Sequence, residues 1–356
     1  MFESSFYLSF VAFFIVLTPL IFVHEFGHYY AAIKSGVKVE TFSIGFGPEL
    51  LGFNDNKNTR WKFSLIPLGG YVKMKGELIN INDNSNKNSL EKDSFLKASL
   101  LSRFIIVSSG PLANLLLGLL LITSLYALNG RYISSTIINS VVDSKPAQLA
   151  GILPNDKVIS IDGELVENFQ EIKQIVENKP KVSLNFKVLR DNDVLNINVI
   201  PIDFFDEKTN KLVGRIGVTA KPMVLTKLSL IEAFKSGVYD TYRLTTDWLI
   251  GFKSLLSLNI DKKDVVGPIG IAKISGSSLD QGFFSIIFLM AILSINLGLI
   301  NLLPIPALDG GYILLYAYEL IFKKPLPSKI QILLLKFGFI FLLMLMFLIT
   351  AFDLGF

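Results

Sequence analysis

Two histidines and a glutamate stand together in the segment His24-Glu25-Phe26-Gly27-His28. On a helix, positions i and i+4 share one face, so both imidazoles can direct a ring nitrogen at one metal ion. Glu25 can accept a proton from an attacking water molecule, which is the chemistry of the H-E-x-x-H zinc hydrolases. The chain has 2 His in 356 residues, and ionisable groups in an apolar helix are costly and usually functional. A chance or purely structural pair is the less favoured interpretation.

A catalytic zinc ion usually takes three protein ligands and leaves one position for water. Because the chain has no third histidine, the remaining ligand must be an aspartate or a glutamate. Asp309 follows a long apolar stretch that Pro304 and Pro306 interrupt. Irregular backbone at membrane depth is tolerated only where protein buries it or where it lines a cavity, and this favours Asp309. The alternative is that Asp309 caps a helix at the kink.

The composition indicates that these residues lie in an integral membrane protein. Hydrophobic residues make up 51% of the chain, charged residues 18%, and 29 residues are Phe, which is typical of that class. The chain has no long charge run and no Cys, so a disordered chain and a disulfide-stapled secreted fold are excluded. The net charge of +4 is too small to indicate a nucleic-acid partner.

Four charge-poor stretches predict membrane-spanning helices, because a hydrocarbon core about 30 Å thick needs about 20 apolar residues of helix. They are residues 4–23, the interval from Arg103 to Arg131, the interval from Asp280 to Asp309, and residues 330–352. A secretory signal peptide is the alternative for the first stretch. Its leading segment MFESS has no Lys or Arg, however, and no small-residue cleavage site follows.

The chain between the second and third spans has a different character. Charged and apolar residues alternate over residues 134–219, as in half-exposed strands. Asp162-Gly163 predicts a type I′ hairpin, and NFQEIKQIVEN places apolar residues on one helical face. These patterns predict a small soluble α+β domain. A polar stretch at residues 80–89 predicts a loop.

Residues 227–260 repeat apolar side chains at helical spacing among scattered charges. This pattern predicts an amphipathic helix at the membrane surface, and a helix packed on the soluble domain would have the same pattern. The short connection before the fourth span carries Lys323, Lys324 and Lys329, so the positive-inside rule places it in the cytoplasm. Four spans then place residues 36–98 inside, and both termini and the soluble domain outside.

The motifs resemble a known family. His24-Glu25-Phe26-Gly27-His28 early in the chain, with N-x-x-P-x-P-x-L-D-G at residues 301–310, resembles the site-2 protease family of intramembrane zinc metalloproteases. The bacterial regulator-of-sigma-E protease branch is the most similar. Further matching segments are GFGP at 45–48, IPLGGYVKM at 66–74, Gly110-Pro111 with Asn114, and VGPIG at 266–270. Residues 145–156 and 159–163 resemble a PDZ domain.

The resemblance implies that His24, His28 and Asp309 are zinc ligands and that Glu25 is the general base and acid. It also implies that residues 66–75 form a β-hairpin that dips into the membrane beside the site. The expected fold is a polytopic α-helical membrane protein with about four transmembrane helices, a membrane-associated β-hairpin and an inserted α+β PDZ domain. The chain departs from the family in two ways: it has room for one PDZ domain, and Tyr312 stands where some relatives have histidine.

The expected domain organisation follows the chain in order. Residues 1–35 form the first transmembrane helix, 36–98 a cytoplasmic-side β region, 99–130 the second helix and 134–222 the PDZ domain. Residues 223–262 form the amphipathic linker, 263–325 the third helix with the broken segment, and 326–356 the fourth helix.

The expected function is zinc-dependent hydrolysis of peptide bonds in or near transmembrane segments. The implied substrates are single-pass membrane proteins, such as an anti-sigma factor or signal-peptide remnants, and the implied setting is the bacterial cytoplasmic membrane. A free strand edge at Gly69, Gly70 and Val72 would pair with an extended substrate, and Asn301 and Pro304 are further candidates for substrate binding. The other partner is the lipid bilayer, with no nucleic acid. A metal transporter and a catalytically inactive PDZ scaffold are the alternatives.

Overall fold

The computed structural model describes residues 2–76, 92–206, 211–257 and 266–355. The stretch 80–89, predicted to be a loop, lies outside these residues, as do parts of the regions 36–98, 223–262 and 263–325. The chain divides into two compact units. Met1–Leu128 with Leu230–Phe356 forms the membrane unit, and Asn129–Ser229 forms the inserted unit.

The helices of the described residues are α1 (Phe2–Lys34), α2 (Leu100–Asn129), α3 (Pro146–Leu149), α4 (Phe169–Glu177), α5 (Leu230–Leu256), α6 (Pro268–Gln281), α7 (Phe283–Asn301), α8 (Asp309–Phe322) and α9 (Ser328–Asp353). The strands are β1 (Val39–Asn54), β2 (Arg60–Met74), β3 (Arg131–Ile133), β4 (Ile138–Val141), β5 (Lys157–Ile161), β6 (Glu164–Leu165), β7 (Leu184–Arg190), β8 (Asp193–Val199), β9 (Ile202–Asp206), β10 (Lys211–Arg215), β11 (Val218–Ala220) and β12 (Val224–Thr226).

Among the described residues, 4 helices are long and apolar enough to cross a membrane. These candidate spans are Leu8–Lys34, Leu100–Asn129, Phe283–Asn301 and Ser328–Asp353. They coincide with the four predicted stretches, which confirms that prediction, and the protein is a membrane protein.

The region 263–325, expected to hold one transmembrane helix, contains α6, α7 and α8 instead. Gly282 separates α6 from α7 because its φ of 103° lies in the region that favours glycine. Pro304 and Pro306 stand between α7 and α8, where proline cannot continue the hydrogen-bond ladder. The third span is therefore α7 alone, and Asp309 begins a separate helix.

The hairpin of the membrane unit is larger than expected. Residues 66–75 do not form it alone, because β2 pairs along its length with β1 in antiparallel fashion. The register is irregular, and Phe42 of β1 lies opposite both Val72 and Trp61 of β2. Strand β1 therefore contacts two different parts of β2. The predicted segment, residues 66–75, contributes the second half of β2 and does not form a hairpin by itself.

The amphipathic helix α5 belongs to the membrane unit. Its Leu244 and Trp248 pack against a cluster that contains Ile122 of α2 and Ile295 of α7. The Tyr126 hydroxyl of α2 donates a hydrogen bond of 2.5 Å to Asp240 of α5. These contacts place α5 against α2 and α7 of the membrane unit.

The inserted unit combines a four-stranded sheet of order β6-β5-β7-β8 with short helices and further strand pairs. The predicted type I′ hairpin is confirmed, since Asp162 and Gly163 have φ of 54° and 84° between β5 and β6. The predicted helix is also confirmed as α4, whose Asn168 side chain accepts a hydrogen bond from the Glu171 amide. The unit extends beyond 134–222 because β3 and β12 pair outside those limits.

Candidate metal centre

Helix α1 carries His24, Glu25 and His28, and each of these residues is at most 9% exposed. The four-residue spacing brings the two imidazoles to one face, with their Nε2 atoms 3.2 Å apart. The Oδ2 atom of Asp309 lies 3.2 Å from His24 Nε2 and 3.5 Å from His28 Nε2. The structure therefore brings together three residues that are distant in the sequence.

The separations among these atoms suit a metal ion. A tetrahedral site with bonds of about 2.0–2.1 Å places its ligand atoms about 3.3–3.4 Å apart. The three observed distances of 3.2, 3.2 and 3.5 Å lie close to that value. Among the described residues, His24, His28 and Asp309 form the group of ligand atoms able to hold a metal ion.

Asp309 is the first residue of α8, and the helix cap is Leu308, which makes no side-chain capping bond. The Asp309 carboxylate contacts the two histidines. Asp309 is therefore not the N-cap residue of α8, which was the alternative interpretation. Ala307, two residues earlier, has a φ of 81°, which is uncommon for a residue with a side chain. The turn between Pro306 and α8 thus directs the carboxylate toward α1.

Helix α2 contacts both histidines at their Nδ1 atoms. His28 Nδ1 donates a hydrogen bond of 2.8 Å to the Ile106 carbonyl oxygen, and Asn114 Nδ2 lies 3.4 Å from His24 Nδ1. A side chain at Gly110 would clash with the His28 imidazole. In the sequence, Gly110 and Asn114 were recognisable only as part of a motif. The indication for Asn114 was present, since it is a polar residue inside an apolar span.

A cavity of about 360 Å³ adjoins the three ligand atoms. Besides the three ligands, the predicted site residues that line it are Glu25, Gly69, Gly70, Val72 and Asn301. Pro304 is exposed and does not line the cavity, whereas its neighbours Ala307 and Leu308 do. Pro304 therefore shapes the turn, because its ring ends the helical ladder, and does not face the cavity.

Several residues that line this cavity were not predicted from the sequence. Phe95, Met74 and Tyr316 line it, as does Tyr312, for which no role was expected. Positions 309, 312 and 316 follow one another at helical spacing, so one face of α8 carries the acid and both tyrosines. The spacing of these three residues in the sequence already indicated that the two tyrosines lie on the same helix face as Asp309.

Two solved PDZ domains are similar to about a quarter of the chain. The PDZ domain of an SdrC-like protein from Listeria monocytogenes is 20% identical, with a TM-score of 0.21, over 25% of this chain and 90% of that chain. The corresponding domain from Listeria innocua is 22% identical, with a TM-score of 0.22, over 26% of this chain and 99% of that chain.

Curated relatives match nearly the whole chain. A protein of Agrobacterium fabrum (strain C58), named as a candidate zinc metalloprotease, is 35% identical over 97% of this chain and 95% of its own length. Proteins with the same description from Rickettsia conorii and Rhizobium meliloti are 35% and 33% identical, over 97% and 94% of this chain and 98% and 92% of their own lengths.

The model of peptidase family M50 matches residues 12–345. This range contains the part of α1 that carries the histidines, the inserted unit and the turn that carries Asp309. The predicted relationship is thereby confirmed. With full-length relatives at this identity, the chain belongs to peptidase family M50, the site-2 protease family, and is a zinc metalloprotease.

Proposed function

We propose that the protein is an intramembrane zinc endopeptidase that cuts single-pass membrane proteins in or near their transmembrane segments. His24, His28 and Asp309 would hold the zinc ion, and Glu25 would transfer protons. The observation that carries this proposal is the convergence of the three ligand atoms within 4.8 Å of one another, beside a cavity that Glu25 also lines.

The chemistry that bound zinc supplies is Lewis acidity, which makes water a nucleophile near neutral pH and polarises the scissile carbonyl. The Glu25 carboxylate accepts the proton of the attacking water and gives it to the nitrogen of the leaving amine. Glu25 is suited to this role because it follows His24 directly on α1 and lines the cavity. A buried carboxylate without such work would be costly in an apolar helix.

Residues 69–72 of β2 support a proposal for substrate binding. This segment lines the cavity, and among the described strands β2 pairs only with β1. An extended substrate can therefore pair with the other edge by β-augmentation. Gly70 keeps this strand close to the base, because a Cβ there would lie 2.8 Å from Glu25 Cγ. Asn301 lines the same cavity and offers an amide to the substrate backbone or to the developing oxyanion.

Strand pairing also answers an energetic problem of the substrate. A transmembrane helix must unwind locally before a carbonyl becomes accessible, and each freed N–H or C=O group costs several kcal/mol in an apolar phase unless it is paired. The β2 edge offers such partners. We propose anti-sigma factors or signal-peptide remnants as substrate classes, and regulated intramembrane proteolysis as the process.

We propose the bacterial cytoplasmic membrane as the location, consistent with the bacterial relatives. Lys323, Lys324 and Lys329 follow α8 and precede or begin α9, and the positive-inside rule assigns this short connection to the cytoplasm. The metal centre would then lie near the cytoplasmic side. The inserted unit, which we propose to be a PDZ domain, would lie outside and restrict access by substrates with bulky outer domains.

The alternatives, a metal transporter and an inactive scaffold, are less well supported. Neither needs a carboxylate base in the cavity beside the metal ligands, where Glu25 lies. A transporter must also release its ion, whereas three protein ligands, two of them buried and the third partly buried, favour retention.

The test is Glu25→Gln in purified protein, with Asp309→Ala as the matched variant. Glu25→Gln should retain zinc and lose about 10²–10⁴-fold in the rate of cleavage of a model transmembrane substrate, because only the base is removed. Asp309→Ala should lose both zinc and activity. Zinc content and cleavage rate are measured on the same samples. Near-normal cleavage by Glu25→Gln would contradict the mechanism, and full zinc content in Asp309→Ala would contradict the ligand assignment.

A further inference from the structure

We propose that Asn114 is a positioning residue that accepts a hydrogen bond from His24 Nδ1 through its Oδ1 atom. By doing so it selects the tautomer of His24 that presents Nε2 to the metal ion. This inference rests on the proposed function only in taking His24 as a metal ligand.

The first observation is the burial of Asn114 in the middle of an apolar span. Asn114 is 0% exposed and lies in α2, a candidate membrane span. Its Nδ2 atom is 3.4 Å from His24 Nδ1, and its Oδ1 atom is buried with no hydrogen-bond partner among the described residues. An amide oxygen that is unsatisfied in such a place is energetically costly, so its retention calls for a role.

The second observation is the direction of the His24 ring. Nε2 faces the Asp309 carboxylate and the His28 ring, so Nε2 is the atom that can bind a metal ion. A neutral imidazole that binds through Nε2 carries its hydrogen on Nδ1, which is then a donor. The Asn114 Nδ2 group is also a donor, and two donors cannot pair.

A half-turn of the Asn114 amide removes this conflict. The rotation exchanges Oδ1 and Nδ2, which have nearly the same size, and places an acceptor opposite His24 Nδ1. In the present orientation Oδ1 bonds to no described residue, so the rotation breaks no hydrogen bond of the oxygen. The tautomer of His24 therefore decides the orientation, and metal binding requires the oxygen to face the ring.

At His28, a backbone carbonyl group takes the part that we assign to the Asn114 side chain at His24. Its Nδ1 donates to the Ile106 carbonyl oxygen at 2.8 Å, which leaves Nε2 for the metal ion. Ile106 and Asn114 are eight residues apart on α2, so one helix holds both imidazoles. Such outer partners of metal-binding histidines typically change metal affinity by about 10–100-fold when they are removed.

The test compares two replacements of similar size in the purified full-length protein. Asn114→Leu removes the acceptor, and Asn114→Asp keeps an acceptor oxygen but has no donor. Zinc affinity, measured by competition with a chelator, should fall about 10–100-fold in Asn114→Leu and stay close to wild type in Asn114→Asp. Ser294→Ala is the control, because it removes the 2.7 Å bond to the Asn114 backbone oxygen and leaves the amide in place.

A second readout needs no variant. The chain has 2 His, so ¹⁵N-histidine labelling yields four ring-nitrogen resonances, and in the zinc-loaded protein both Nδ1 atoms should carry hydrogen. A His24 ring bound to zinc through Nδ1 would overturn the proposal. Equal loss of affinity in Asn114→Asp and Asn114→Leu, or wild-type affinity in Asn114→Leu, would also overturn it. Failure of the proposed function is distinguishable, since wild type and His24→Ala would then bind zinc equally.

Discussion

The membrane unit and the inserted unit bury different kinds of side chain. The core of the inserted unit is formed by aliphatic and aromatic residues such as Ile161, Leu184 and Phe186, each 0% exposed. Its buried carboxylate, Asp156, is paired with Arg190 by two bonds of 2.7 Å. The membrane unit instead buries ionisable and amide side chains that lie close together on α1 and α2, among them His24, Glu25, His28 and Asn114.

This difference separates what stabilises the protein from what performs chemistry. Apolar burial stabilises a fold in proportion to the area removed from water. Buried polar groups cost free energy unless they are paired, and in a membrane they mark functional positions. Substitutions in the inserted unit should therefore change its stability and leave zinc binding unchanged, whereas substitutions of the polar side chains around His24 and His28 should change zinc binding as well.

The largest expected effect on stability is that of Phe186→Ala. Truncating this fully buried side chain should cost about 3–5 kcal/mol, from lost apolar burial and the cavity left behind. Amide hydrogen exchange in β7 should accelerate accordingly, while zinc content remains that of wild type. Loss of zinc in Phe186→Ala, with α1 and α2 still protected from exchange, would show that the two units do not respond separately.

A smaller effect is expected at the ion pair that joins α2 to α8. Arg103 Nη2 lies 2.7 Å from Glu319 Oε1, with side-chain exposures of 12% and 19%, and the guanidinium lies over the Tyr316 ring. Arg103→Met leaves Glu319 unpaired and should cost about 3 kcal/mol. Because α8 begins at Asp309, zinc affinity should fall too. The measurements are thermal unfolding in detergent and chelator competition.

The control for this pair is the double variant Arg103→Met/Glu319→Leu. Replacing both charges by apolar groups should recover most of the stability, since no unpaired charge remains. If zinc affinity fails to recover with it, the charges contribute to the position of Asp309 beyond holding the helices together. Equal stability of wild type and Arg103→Met would contradict the assignment of a stabilising pair.

The smallest expected effect concerns pH and the turn between β1 and β2. Burial raises the pKa of Asp55, but hydrogen bonds from the Trp61 indole, the Thr59 amide and the Tyr29 hydroxyl outweigh it and lower the pKa to about 2. The unfolded chain, with a pKa of about 3.9 for Asp, then binds more protons between these values. The stabilisation is present above about pH 4 and is lost as pH falls toward 2.

Tryptophan fluorescence can follow this change because the chain has 2 Trp. In a Trp248→Phe background, Trp61 emission should shift as pH falls toward 2, where Asp55 of the folded protein takes up its proton, and Asp55→Asn should abolish that dependence. Asp162 of the inserted unit is the comparison. A hydrogen bond from Lys179 and a second one from the Asn185 amide lower the pKa of Asp162. The ion pair with Lys179 is exposed, however, so it should contribute less than about 1 kcal/mol to stability. An unchanged Trp61 signal down to pH 2 would contradict the role of Asp55.

Local patterns in the sequence were sufficient for part of this structure. The four spans follow from stretches of about 20 apolar residues, and α1 carries His24 and His28 on one face because helical spacing alone dictates it. The hairpin at Asp162-Gly163 and helix α4 also depend on neighbouring residues only. Each of these features is set by interactions within a few positions of the chain.

Tertiary structure decided the features that depend on distant contacts. Asp309 meets His24 across 285 positions of the chain, and composition alone left its role open between a ligand and a cap. The division of residues 263–325 into three helices depends on the backbone at Gly282 and the turn before α8. The pairing of β1 with β2 and the approach of Asn114 to His24 arise from packing between elements. Spacing in a sequence encodes which face a residue occupies, but only packing determines which other face it meets.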